Sequence, residues 1–188
     1  MIKIGITGSL ASGKTTASKI LSSRRGPLFS ADKAVKDLYK NKHFKSLVSK
    51  KFEVKNNSQL KNSLKNLILK NKNNIKKLEK IIHPLVRKKM KNFTARNRHK
   101  KLLFYEIPLL IESKLMKYFK VIVFIKAKKQ LRFRRFQSKS GDKKLFNLLN
   151  NKQMSDIKKI KFCDHVVVNE KNLNILKMNL LAIISKYE

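Results

Sequence analysis

A strand that runs into a glycine-framed turn and straight on into a helix leaves a chain few ways to fold. This sequence begins with one. Residues 2–7, "IKIGIT", read as a strand ending at Gly8, and "KTTASKILSS" from Lys14 reads as a helix with Ala17, Ile20 and Leu21 on one face. Between them, Gly8, Gly13, Lys14 and Thr15 complete G-x-x-x-x-G-K-[ST]. The two glycines let the backbone curl so that successive N–H groups point inward as an anion nest. The helix that follows adds its positive end. Lys14 supplies a cation between the β- and γ-phosphates, and the Thr15 hydroxyl is a ligand for Mg²⁺. Ala11, Ser12 and Thr16 complete the set of residues expected against the nucleotide. The turn therefore predicts a bound nucleoside triphosphate with Mg²⁺.

The rest of the chain supplies a sheet for that turn. "GPLFSAD" predicts a short buried strand over Leu28 to Ser30, ending near Asp32. From Lys33 to about Lys100, apolar residues fall at helical intervals between Lys/Asn-rich stretches, a helical insertion. "LLFYE" (Leu102–Glu106), "VIVFI" (Val121–Ile125) and "HVVVN" (His165–Asn169) are continuous apolar runs of buried-strand length. A basic helical stretch with a break near Gly141 follows Ile125, and a last helix spans about Leu173–Lys186. Five strands alternating with helices predict an α/β fold with a mostly parallel, doubly wound sheet. The expected organisation is a single domain over 1–188: core 1–32 and 101–188, insertion 33–100, lid about 130–160.

Charge is the loudest feature of the composition. Lys+Arg number 47 against 11 acids, a net charge of +36. Clustered cations suggest nucleic acid. Only 8 of the bases are arginine, however, the lysines spread over most of the chain, and 17 Asn accompany them. That is the product of A/T-rich codons and a solvated surface, so no specific nucleic-acid partner is expected. The positive field would still draw in a polyanionic small substrate. One cysteine, Cys163, excludes an internal disulfide, and no Cys/His spacing suits zinc. The opening residues predict no secretory leader and the longest apolar runs are too short for a bilayer. A cytoplasmic protein, monomeric or weakly oligomeric and without a membrane partner, is expected.

The phosphate loop alone leaves motor, switch and kinase open. Motors need a longer chain with an acidic Walker B strand, and GTPases need N-K-x-D, which is missing. A core, an inserted helical lobe and a basic lid suggest a P-loop kinase for a small acceptor. Six stretches then fall in order: "GITGSLASGKTT", "FSADKAVKDLY", "IIHPLVRKKM", "EIPLLIE", "VIVFI…Q" and "CDHVVVN". In these the chain resembles the dephospho-CoA kinase family over almost its whole length. The resemblance implies transfer of the ATP γ-phosphate to the ribose 3′-hydroxyl of dephospho-CoA, the last step of coenzyme A biosynthesis. A nucleoside or nucleotide kinase and a basic nucleic-acid-binding P-loop protein are the alternatives.

Site residues follow partly from the chain and partly from the resemblance. Asp32 is a carboxylate at a strand's C-terminal end, able to accept or orient the acceptor's hydroxyl proton. It matches the second aspartate of the family's D-A-D, whose first is Ser30 here, and "SADKAV" also reads as a helix cap. The resemblance sets His83 and Pro84 beside the acceptor, against a merely structural His. Glu106 ends the third strand, where it could hold Mg²⁺ through water. Glu112 either anchors its loop or touches ligand. For the lid arginine that would close on the phosphates, "RFRRFQSKSG" admits two registers. Counting back from Gln153 favours Arg134 with Ser138; counting forward from Gln130 favours Arg135 with Lys139. Lys159 matches a lid-end lysine. Asn169 matches the position bordering the ATP base, although the family's following glycine is missing. Cys163 reads as a structural thiol.

Overall fold

The computed structural model describes residues 1–71, 73–139 and 142–188. Two compact units emerge, Met1–Ser30 with Thr94–Glu188, and Ala31–Phe93.

The first unit is built on five strands: β1 (Ile2–Gly8), β2 (Leu28–Ser30), β3 (Leu102–Glu106), β4 (Val121–Lys126) and β5 (His165–Val168). They pair in the order β2-β3-β1-β4-β5, and all four pairings are parallel. β1 is central, with Ile6 opposite Glu106 on one side and Val123 on the other. A parallel strand needs cover on both faces, which is why β3 and β4 carry unbroken apolar runs. Ile4, Ile6, Phe104, Val123 and Ile125 pack under α1 (Lys14–Ser22) and α9 (Leu173–Ile184) through Ala17, Leu21, Leu176 and Leu180. Each such side chain withdrawn from water contributes about 1.5–3 kcal/mol. On the other face Tyr105 packs edge-on against Phe119 and near Phe29.

"HVVVN" departs from its expected burial. Among the described residues β5 pairs only with β4, and just one of its faces is covered: Val167 is buried while Val166 and Val168, on the opposite face, are exposed. The basic stretch after β4 folds as α6 (Lys129–Gln137), α7 (Lys143–Lys152) and α8 (Asp156–Ile160). Asp142 caps α7 by accepting from the Leu145 N–H at 2.7 Å. The break expected near Gly141 lies outside the described residues.

The second unit is helical: α2 (Ala31–Leu38), α3 (Lys42–Phe52), α4 (Leu60–Lys70) and α5 (Asn73–Arg96), whose last residues belong to the first unit. Leu38, Phe44, Val48, Leu60 and Leu64 form its core, flanked by Leu78, Ile81, Leu85 and Val86. These are the residues that recur at helical intervals between the lysines and asparagines. No helix among the described residues is long and apolar enough to cross a membrane.

Candidate active site

The turn after the central strand sits at the carboxyl edge of the sheet, between the ends of β3 and β4. Gly8 has φ +152° and Gly13 φ +96°, and Ala11 also turns left-handed at φ +58°. A Cβ on Gly8 would meet the Ile125 carbonyl, and one on Gly13 the Asn169 amide nitrogen. Both positions therefore demand glycine. Side chains hold the turn's carbonyls, one from within the motif and two from beyond it. The Ser9 carbonyl accepts from Lys14 Nζ at 2.8 Å, and the Ser12 carbonyl from Asn169 Nδ2 at 2.9 Å and Arg135 Nη1 at 3.5 Å. Because a trans peptide is planar, a carbonyl turned one way sends the next N–H the other way. Fixing the Ser12 carbonyl thus aims the Gly13 N–H into the turn.

At the start of α1, Thr15 Oγ1 donates to Glu106 Oε1 at 2.5 Å, and Glu106 is buried at the end of β3. A hydroxyl and a carboxylate side by side are hard oxygen donors and suit Mg²⁺. Among the described residues no cluster of three metal-binding acids, His or Cys exists. Phosphate oxygens and water would complete the coordination sphere, as they usually do for this ion. Thr16 is exposed on the same helix turn.

The three arginines of α6 part ways. Arg135 is half-buried and faces Ser12, whereas Arg134 is exposed. Arg132, which the sequence reading did not single out, is buried. Its Nε donates to the Ala127 carbonyl at 3.0 Å; its Nη1 reaches the Leu10 carbonyl at 3.3 Å and Asn150 Oδ1 at 2.8 Å. Burial draws its pKa down and the Asp156 charge pushes it back up; it remains cationic at any physiological pH. Arg132 and Arg135 lie three residues apart on one helix face while Arg134 lies on another. That spacing was the available signal.

The segment after α7 also reaches the turn. Gln153 Oε1 accepts from the Leu10 N–H at 3.0 Å, and Asp156 accepts from the Ser9 hydroxyl. Behind it, Glu112 Oε1 pairs with the fully buried Lys159 at 2.8 Å and accepts from the Met154 N–H at 3.1 Å. Of the two roles expected for Glu112, these contacts are those of an anchor. Asn169 spends its amide N–H on the turn, and Glu170 beside it accepts from the Lys128 N–H at 3.0 Å. Cys163 donates to the Lys159 carbonyl at 3.2 Å, and burial pushes its thiol up to about 11.

In the second unit, Asp32 is exposed in the first turn of α2, inside the helix. It thus sits near the positive helix end without being the residue before it. His83, partly buried, and Pro84, exposed, lie mid-way along α5.

A parallel sheet whose central strand feeds this turn, with a lysine in it and an arginine-bearing helix against it, defines a P-loop kinase. The dephospho-CoA kinase family model matches residues 2–174, and the chain belongs to that family. A dephospho-CoA kinase of Bartonella quintana is 35% identical over 186 residues, covering 96% of this chain and 95% of that one. A solved structure from Thermus thermophilus superposes with a TM-score of 0.81 at 27% identity, over 100% of this chain and 98% of that one. A dephospho-CoA kinase from Campylobacter jejuni, 24% identical, shares the fold with a TM-score of 0.65, over 99% and 97%.

Proposed function

We propose that this chain phosphorylates the ribose 3′-hydroxyl of dephospho-CoA with ATP, giving CoA and ADP, as its family does in the last step of coenzyme A biosynthesis. The observation that carries the reading is the family match over residues 2–174. The alternatives, a nucleoside or nucleotide kinase and a nucleic-acid-binding protein, are not favoured by it. The phosphate turn of Gly8–Thr15 supports the donor half of the reaction independently. The reading includes a cytoplasmic location, where ATP is made available.

Each residue then has a task. In the transfer, the 3′-oxygen forms a bond to the γ-phosphorus, the bond from that phosphorus to the β-γ bridging oxygen breaks, and ADP leaves. Asp32 takes or orients the hydroxyl proton. Turn N–H groups from Ala11 to Thr16 hold the donor phosphates, and Lys14 leaves the Ser9 carbonyl for the phosphate oxygens. Thr15 and Glu106 would hold Mg²⁺, which supplies charge neutralisation on the β- and γ-phosphates. Between the two lid registers, the approach of Arg135 to Ser12 favours Arg135 as the lid cation over Arg134. Asn169 keeps the loop in shape beside the base, and His83 and Pro84 contribute to the acceptor lobe.

A coupled assay with ATP, Mg²⁺ and dephospho-CoA tests the reading. ADP formation should require dephospho-CoA. Asp32→Asn should remain folded and lose about 10²–10⁴-fold in kcat, the span typical of removing a general base. ATP turnover indifferent to dephospho-CoA would sink the assignment.

A further inference from the structure

Leu10 is held by both of its backbone polar groups, and neither partner is in the turn. Its N–H goes to Gln153 at the end of α7 and its carbonyl to Arg132 on α6. From this geometry we infer that Arg132 and Gln153 form a clasp that sets the Leu10 peptide planes and so positions the phosphate turn. The two are positioning residues, since both grip backbone from outside the turn. The inference rests on the proposed kinase reading and adds to it residues that act through the loop.

Three observations carry it. First, the trans peptide links the Leu10 carbonyl rigidly to the Ala11 N–H on its opposite side. Arg132 pulling the carbonyl outward directs that N–H inward, toward where the donor phosphates bind. Ala11 itself is left-handed, at φ +58°. A non-glycine residue in that region holds only when its surroundings fix it.

Second, only a guanidinium fits the work. Arg132 satisfies acceptors on three different segments, Ala127 after β4, Leu10 in the turn and Asn150 in α7. The planar fork spans them with separate N–H groups; an ammonium on a flexible stem does not. Arg132 is also buried, so water cannot replace a lost partner.

Third, the clasp is backed. The Asp156 carboxylate takes the Ser9 hydroxyl just before Leu10. Glu112 fixes the Met154 N–H next to Gln153 and pairs with Lys159 at the end of α8. Side chains from α6, from the residue after α7 and from α8 thus grip Ser9 and Leu10, the two residues that open the turn.

The test compares Arg132→Lys and Gln153→Leu with the wild type by calorimetric titration with MgADP, together with steady-state kinetics. Each variant loses a grip on Leu10 without touching nucleotide. Weakened ground-state and transition-state binding together raise KM for ATP and leave kcat nearly unchanged. Each variant is expected to bind MgADP about tenfold more weakly, with a matching rise in KM for ATP. The KM for dephospho-CoA should hold within about twofold. Because both variants act on one peptide, the double variant should be little worse than the weaker single one. A merely structural strut would lower the melting temperature and leave nucleotide affinity alone. MgADP affinity within about twofold of wild type in both folded single variants overturns the inference. Should Arg132→Lys fail to fold, Gln153→Leu decides alone. A wild type that binds MgADP but leaves dephospho-CoA untouched would instead defeat the functional reading and leave the clasp standing.

Discussion

Removing Glu112 should cost far more stability than removing its partner Lys159. The ion pair is lopsided: the Lys159 side chain is 0% exposed and that of Glu112 18%, at an N–O distance of 2.8 Å. Glu112→Ala strands an ammonium with no route to water. Breaking a buried pair from one side in this way costs about 3–5 kcal/mol. It also orphans the Met154 N–H, which Glu112 accepts at 3.1 Å. Lys159→Met removes the ammonium and fills its volume with an apolar chain. The carboxylate left behind keeps the Met154 N–H in a side chain that, unlike that of Lys159, is partly exposed, so the loss should be smaller, about 1–2 kcal/mol. For a chain of this size 1 kcal/mol shifts the melting temperature by about 2–4 °C. Glu112→Ala should therefore melt roughly 6–20 °C below wild type and Lys159→Met roughly 2–8 °C below. Differential scanning calorimetry and urea titration both read the difference, provided the m-value is unchanged. The double variant Glu112→Leu/Lys159→Met gives the sharper check. It leaves no stranded charge, and a buried pair replaced by apolar groups is often neutral. It should melt above Glu112→Ala alone. Equal losses in the two single variants, or a double variant less stable than Glu112→Ala, would refute the claim that a stranded lysine is what costs.

Two further outcomes follow from the site. Glu106→Gln keeps an acceptor for the Thr15 hydroxyl but drops the charge, so half-maximal activity should need about tenfold more Mg²⁺; an unchanged Mg²⁺ requirement in the ADP-release assay would leave Glu106 as a partner of Thr15 only. Cys163, raised to about 11 mainly by burial and then by the Asp164 charge, should react with iodoacetamide at pH 8 about 100-fold more slowly than a thiol titrating at 9. Its rate should climb about tenfold per pH unit without a plateau below pH 10. Since the folded-state value lies above the unfolded one, its contribution to stability is complete below pH 9 and is lost as pH rises toward 11.

How much of this could be read from the chain depends on how far apart the partners lie. Gly8, Gly13, Lys14 and Thr15 were legible because one turn's requirements are written in consecutive residues. β3 and β4 were legible because burial on both faces imposes an unbroken apolar run. "HVVVN" carries the same run and yet forms an edge strand, since its place in the sheet order is a tertiary fact that no local pattern encodes. The basic stretch after β4 shows the limit more sharply. "RFRRFQ" puts three arginines within four residues, and counting from Gln130 or Gln153 could not tell which of them faces the turn. That depends on the phase of α6, and the phase buries Arg132, half-buries Arg135 and exposes Arg134. Glu112 and Lys159 were each noted, but their pairing spans 47 positions and waits for the fold.

The acids were the better guide in so basic a chain. Among 11 carboxylates, Glu106 holds the Thr15 hydroxyl, Asp156 the Ser9 hydroxyl and Glu112 the Lys159 ammonium. Asp142, Asp164 and Glu170 accept from the backbone N–H groups of Leu145, Ile122 and Lys128. A carboxylate surrounded by lysines could find a solvated cation anywhere, so one committed to a hydroxyl or a backbone N–H is there for geometry. By that argument the excess of positive charge says little about the reaction, while these six negative charges mark where the phosphate turn, its strands and the helices after β4 are pinned. Asp32 differs from these six in belonging to the helical unit, in the first turn of α2. The six pinned carboxylates are spent on the fold, so the proposed role toward the acceptor's hydroxyl falls to one of the other five, and Asp32 is the one that follows β2.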